Sequence, residues 1–367
     1  MTERGPVSFG VVNAYKAHTG SSSVARSYYD ALVKQQRPVA WYQCISSKDT
    51  ASYESLGDRI GGWTNFRDDY NLVLNCLAVF PKKIGRLRED VAILTDPILL
   101  RAAPRLNDPV VIVHDLRELS DQRRSVTAEL FYHWVLRGLD HVGHIICDSE
   151  TTRTELLRFS RPRVPVDVLY PCSRIMGPSA RPLIARLKQM AESRTLNVLY
   201  IAADRPYKNI PFFCRLAKMM EKPHGGWSFR FRLVSHVGST SQRLISSLDA
   251  SNLEVVPSVA NLSAAYDEAD VLVHPSKWEG FGLPPVEAMQ YGVPVVASTT
   301  PCIREVVATG GVLLEPEDPN PWIDCLTELT DPDVYANRAL ASAARGKEFQ
   351  PEAFESRFYS WMQARLL

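Results

Sequence analysis

Few folds accept the stretch from Val271 to Ser298, VLVHPSKWEGFGLPPVEAMQYGVPVVAS. A short apolar run, Val271 to Val273, breaks at Pro275 and passes into the turn Glu279-Gly280-Phe281-Gly282-Leu283, which a double proline follows. The order reads strand, loop, helix. Proline suits a helix start because its missing N–H would be orphaned there and its φ is already helical, so Pro284 and Pro285 predict a helix over Val286 to Tyr291. Gly292 fits the left-handed residue that ends many helices, and Val293 to Ala297 predicts the next buried strand.

This unit holds two carboxylates, Glu279 in the loop and Glu287 in the first turn of the helix, and both can face one crevice. A helix N-terminus presents unpaired N–H groups and about half a positive charge, and glycine lets backbone amides come close to a ligand. Such a place binds anions. A phosphate at the helix end, with hydroxyl-rich groups held by Glu279 and Glu287, describes a nucleotide sugar. The plainer alternative is that these residues only cap an ordinary α/β helix.

With seven residues between Glu279 and Glu287, the pattern PS-x-x-E-G-F-G-L-P-x-x-E-A-M-x-x-G-x-P-V-V-A-S resembles the signature of family 4 retaining glycosyltransferases with the GT-B fold. The resemblance implies two doubly wound, Rossmann-like α/β domains facing a central cleft. Residues 1–172 would form the acceptor side and 173–350 the donor side, with a terminal helix over 351–367 crossing back onto the first domain. It also implies transfer of a hexose from a UDP- or GDP-sugar to a glycan, lipid-linked or small-molecule acceptor, with no cofactor or metal required. Residue by residue, Glu287 takes the ribose hydroxyls, Lys208 with Arg205 takes the diphosphate, and the backbone at Val259 holds the base. The amides of Phe281, Gly282 and Leu283 hold sugar hydroxyls, Glu279 lies beside the sugar, and His114 contacts it from the N-terminal domain. The family's glycine-rich first loop corresponds here to the turn His18 to Ser23, making Gly20 and Ser21 an acceptor or phosphate lip; plain turn chemistry is the alternative.

The chain departs from the family pattern at several positions. That first loop has one glycine and three serines, Ala202 stands where glycine is usual, and Tyr207 stands where the first basic residue of a pair is common, so Arg205 is read as the missing cation. These departures keep open a catalytically silent GT-B protein that binds sugar or a partner. A glycosidase using Glu279 and Glu287 as its carboxylate pair is a third reading. It has no use for Lys208 or for an anion site at a helix end.

Other features bound the problem. A length of 367 residues suits two domains. A formal net charge of +1 gives no electrostatic reason for a nucleic-acid partner. Seven cysteines without CxxC spacing sit mostly in apolar runs and read as reduced core thiols, which together with an N-terminus lacking an apolar leader points to the cytoplasm. Apolar residues from Asn71 to Phe80 followed by Lys82, Lys83, Arg86 and Arg88 read either as a core helix with a solvated basic end or as a patch peripheral to the inner face of the membrane. Short apolar runs at Val7–Val12, Val39–Cys44, Asp90–Leu94, Val110–Val113, His144–Cys147 and Val166–Tyr170 predict parallel strands, as do Asn197–Ala202, Phe229–Ser235, Leu253–Val256 and Val312–Leu314. His114 follows one of these strands and so stands at a crevice mouth, where an imidazole can donate or accept. Asp148 and Ser149 read together as the cap of a helix over Glu150 to Phe159. Lys48 to Asp69 shows no assignable pattern. His133, His141 and His144 match no common zinc spacing, and Asp331-Pro332-Asp333 sits in a helix-start setting, so neither is read as a metal site.

Overall fold

The computed structural model describes residues 6–17, 19–65, 68–120, 126–173, 181–257 and 262–367. The chain divides into two compact units, residues 1–174 together with 351–367, and residues 175–350.

The first unit is built on a sheet of seven strands: β1 (Phe9–Asn13), β2 (Val39–Ile45), β3 (Asp58–Gly61), β4 (Val91–Leu94), β5 (Pro109–Val113), β6 (His144–Cys147) and β7 (Val166–Val168). Their spatial order is β3-β2-β1-β4-β5-β6-β7, with parallel pairing throughout. The near-continuous apolar runs follow from burial on both faces. Successive side chains of one strand enter different cores: Val110 and Ile112 join one cluster, Val111 and Val113 the other. The terminal helix Pro351–Arg365 completes the first of these clusters with Phe354, Phe358, Trp361 and Met362.

The second unit has six parallel strands: β8 (Thr195–Ile201), β9 (Ser228–Val234), β10 (Leu253–Val256), β11 (Val271–His274), β12 (Val295–Ser298) and β13 (Gly311–Leu314). Their order is β10-β9-β8-β11-β12-β13. In both sheets the order reverses direction once, between β1 and β4 in the first and between β8 and β11 in the second. The crevice beyond the strand ends at such a reversal is where doubly wound folds bind ligands.

Several expectations are corrected. Strand β3 lies inside the segment left unassigned; only Ile60 of its four residues is buried, so no apolar alternation marks it. Of the turn expected over His18 to Ser23, the part from Gly20 on is the first turn of a helix, Gly20–Lys34, because the Thr19 hydroxyl accepts from the Ser22 amide at 3.2 Å and caps it there. The helical stretch expected from Arg124 to Val142 is described as a helix Val126–Leu136 and a 3₁₀ turn Arg137–His141. Phe80 and Ile84 are fully buried, so the apolar side of the basic segment is core and Lys82 and Lys83 alone of its short helix reach solvent. Among the described residues no helix is long and apolar enough to cross a membrane.

Candidate active site

In the second unit the chain leaving β8 and the chain leaving β11 emerge side by side at the reversal of strand order. The β8 segment makes a 3₁₀ turn, Pro206–Lys208, and enters the helix Ile210–Met219 through Asn209, whose φ of 56° is left-handed. Asparagine tolerates that conformation better than most side chains. Its amide also donates to Pro275 O and Pro316 O, each at 3.2 Å. The Lys277 amide donates to Tyr207 O at 2.7 Å, and the buried Tyr200 hydroxyl donates to Lys208 O. These bonds fasten one loop to the other.

The fastening sets Lys208 against Glu279. Lys208 Nζ lies 2.7 Å from each carboxylate oxygen of Glu279, and His274 Nε2 lies 2.9 Å from Oε1. The lysine side chain is 17 % exposed and the glutamate 7 %. Burial pushes the Glu279 pKa up, but the Lys208 charge, the His274 hydrogen bond and the Lys208 hydrogen bond outweigh it and hold it at about 2. Burial lowers His274 despite its acidic partner, so His274 is neutral and donates its Nε2–H. Tyr207, standing where a cation was expected, places its ring 5.4 Å below Lys208 Nζ and packs edge-on against Trp278.

The helix that follows runs Leu283–Gln290, one turn earlier in the motif than the prolines alone predict, and starts from Gly282 with φ 92°. Its first intrahelical bond is Val286 N to Gly282 O at 3.5 Å. Pro284 and Pro285 bring no N–H, so the donors at this helix start are concentrated at Phe281, Gly282 and Leu283. Cys302 Sγ donates to Gly280 O at 2.9 Å and to Phe281 O at 3.4 Å, and the Phe281 ring rests edge-on against Phe349. The loop is thereby held from behind. Glu287, buried in the same helix, accepts a 2.6 Å hydrogen bond from the Tyr266 hydroxyl, whose own pKa is raised by burial and by the Glu287 charge. Arg205 is exposed at the start of the 3₁₀ turn. Val259 and Asn261 lie outside the described residues.

In the first unit, register explains the placement of His114. Val113 pairs with Cys147 across β5 and β6, so the next residues, His114 and Asp148, meet at the strand ends. His114 Nδ1 lies 2.6 Å from Asp148 Oδ2. Asp148 therefore does not cap the following helix as expected; Ser149 alone does, accepting from the Thr152 amide at 3.0 Å. The neighbouring switch region holds a second polar group. Asn13 donates to Ser22 Oγ and Gln43 Oε1, and Tyr15 donates to Asp96 at 3.0 Å. Gly20 is exposed in the first turn of its helix, beside Ser21, without a positive φ.

Sequence reasoning missed His274, Asp148 and Tyr266 as site residues. A histidine at a strand end, five positions before a motif glutamate, was the available signal for the first. No local pattern reveals the other two, whose partners lie 34 and 21 residues away. Asp331 caps its own helix through the Asp333 and Val334 amides, and among the described residues no group of three or more His, Cys, Asp or Glu side chains could hold a metal ion.

Residues 195–331 match the family described as glycosyl transferases group 1. The chain is 26 % identical over 244 residues to the O-antigen chain mannosyltransferase RfbU of Salmonella typhimurium, covering 64 % of each. It is 36 % identical over 98 residues to the lipopolysaccharide core biosynthesis mannosyltransferase LpsB of Rhizobium meliloti, covering 25 % of this chain and 28 % of that one. The matched part thus spans under two thirds of either relative. By structure, sucrose-phosphate synthase from Thermosynechococcus elongatus superposes with a TM-score of 0.76 at 17 % identity, over 98 % of both chains. The Anabaena protein HepE, solved in complex with UDP and glucose, gives 0.74 at 15 % identity, over 97 % of this chain and 99 % of that one. The second unit thus holds a segment that matches the group 1 glycosyltransferase family, and the chain has the GT-B fold of its structural neighbours.

Proposed function

We propose that the protein transfers a hexose from a nucleotide-sugar donor to a glycan or lipid-linked acceptor, with retention of anomeric configuration. The observation that supports this most directly is the largely buried Lys208–Glu279 pair beside a helix start whose donors are concentrated at Phe281 to Leu283. An ammonium is what a departing diphosphate requires, since its charge is the largest to develop in glycosyl transfer, and oriented amides suit sugar hydroxyls beside it. Lys208, with Arg205 from the same turn, takes the diphosphate. Glu287 takes the ribose hydroxyls, Val259 the base, and the amides of Phe281, Gly282 and Leu283 the sugar hydroxyls. Glu279 lies beside the sugar, and His114 is assigned to it as a hydrogen-bond donor. Gly20 and Ser21 belong to the acceptor side. The leaving diphosphate serves as the base for same-face attack, which accounts for retention without a protein nucleophile. A mannosyl donor is favoured by the names of the relatives, and a UDP-sugar by the complex of the structural neighbour.

The test is incubation with a panel of UDP- and GDP-sugars, with and without glycan and lipid-linked acceptors. Nucleotide release that depends on acceptor, with an axial or equatorial product linkage matching the donor's by NMR, supports the reading. Binding that stabilises the protein without release supports a silent sugar-binding protein instead. Donor at a hundred times its dissociation constant raises stability by about 2.7 kcal/mol, which a thermal shift detects.

A further inference from the structure

The His114–Asp148 pair joins adjacent strand ends and is buried on both sides, His114 being 9 % exposed and Asp148 2 %. One ring nitrogen, Nδ1, is taken by Asp148 at 2.6 Å. The other, Nε2, is buried and has no hydrogen-bond partner among the described residues. Buried polar nitrogens are nearly always paired, so an unpaired one at the mouth of a parallel sheet is kept for a ligand. What Nε2 offers that ligand depends on the ring's charge: a neutral ring bonded through Nδ1–H presents a lone pair, and an imidazolium presents an N–H.

We propose that Asp148 is a positioning residue that keeps His114 as an imidazolium, so that Nε2 meets substrate as a charged donor to oxygen and not as an acceptor. The inference rests on the transferase reading for the identity of the substrate and on the first unit's geometry alone for the charge. The groups facing the ring are Asp148 at the end of β6, Asp96 beyond β4 and Asp115 beside it in sequence; facing Asp148 in turn are Tyr28 of the helix Gly20–Lys34 and Cys147. Three carboxylates surround the imidazole. Burial alone would pull its pKa down, but the Asp148 charge and hydrogen bond, aided by Asp96 and Asp115, hold it up at about 9. The Thr152 hydroxyl donates to His114 O at 3.2 Å and fixes the backbone behind the ring.

The experiment is an NMR titration of the histidine side chains in the full chain, with His114 assigned by its loss in His114→Gln. His114 in the native protein is expected to titrate near pH 9, and in Asp148→Asn at or below its ordinary value near 6.5. That shift lowers the charged fraction at pH 8 roughly thirtyfold and leaves it almost unchanged at pH 5.5, so kcat in Asp148→Asn should fall by about that factor at pH 8 and recover at pH 5.5. Asp148→Glu, which keeps the charge, restores turnover at pH 8. A native His114 midpoint near 6.5 overturns the proposal, as does a loss in Asp148→Asn that is equal at both pH values. A chain that turns over no nucleotide sugar, yet shows the expected midpoints, refutes the transferase reading and leaves the charge assignment standing.

Discussion

Lys208 and Glu279 neutralise each other, so their value to stability and to chemistry can be separated by pH. Removing one member of a buried pair leaves an uncompensated charge, at a cost of about 3–5 kcal/mol. Lys208→Ala is expected to lower the melting temperature and to reduce turnover roughly a hundredfold, as read by calorimetry and by initial rates. The sign with pH follows from Glu279 being held at about 2, below the ordinary carboxylate value of 4.5. Its contribution is present above pH 4.5 and is lost as pH falls towards 2. Urea midpoints measured at pH 6 and pH 3 should therefore drop in the native protein and drop less in Lys208→Ala. His114 behaves oppositely. Held up at about 9, it stabilises fully below pH 6.5 and loses that contribution as pH rises through 9, so urea midpoints at pH 6.5 and pH 10 should differ in the native protein and converge in His114→Gln. Lys208 and Glu279 were legible in sequence because each sits inside a contiguous pattern of loop and helix-start residues. Asp148 was not: its contact with His114 exists only through the register of two strands 34 residues apart, and its local surroundings advertise a helix cap.

The helix Leu283–Gln290 depends on a glycine at its entrance. Gly282 has φ 92°, and a Cβ placed there would lie 2.6 Å from the Ile303 side chain. Gly282→Ala should cost about 1–3 kcal/mol from backbone strain, and it should raise the donor KM more than it lowers kcat because the amides of Phe281 to Leu283 are displaced together. Calorimetry and steady-state kinetics check the two effects. At the other end, Gly292 at φ 64° and the bond from Val293 N to Ala288 O at 2.9 Å close the helix as the sequence predicts. Strands buried on both faces announced themselves by unbroken apolar runs. The edge strand β3 did not, since three of its four residues are exposed and its pairing is supplied by β2. Local apolar pattern reports burial, and an edge strand has little of it.

The two units differ in how they close. Residues 175–350 are continuous, with a core of their own around Phe212, Phe213, Tyr200 and Trp322. The first unit is discontinuous. Tyr28 meets Phe354 and Phe358 edge-on at 5.0 and 4.9 Å, and Trp361 Nε1 donates to Asp167 at 2.8 Å. Phe358→Ala should therefore destabilise this unit by about 3–5 kcal/mol. Expressed alone, residues 175–350 should fold cooperatively and bind nucleotide, whereas residues 1–174 without 351–367 should expose the Tyr28 cluster and bind a hydrophobic dye; circular dichroism and dye fluorescence distinguish the outcomes. The resemblance implied a terminal helix over 351–367 crossing back onto the first domain, but which core Phe354, Phe358 and Trp361 seal is a fact of three-dimensional closure that no periodicity encodes.

That late closure matters while the chain is being made. Once residue 174 has been added to the growing chain, roughly 190 further residues must follow before the sealing helix is complete, a wait of about 10–40 s at ordinary elongation rates. During it the nascent first unit shows an open aromatic face to the cell, and the unit synthesised second is the one able to finish first.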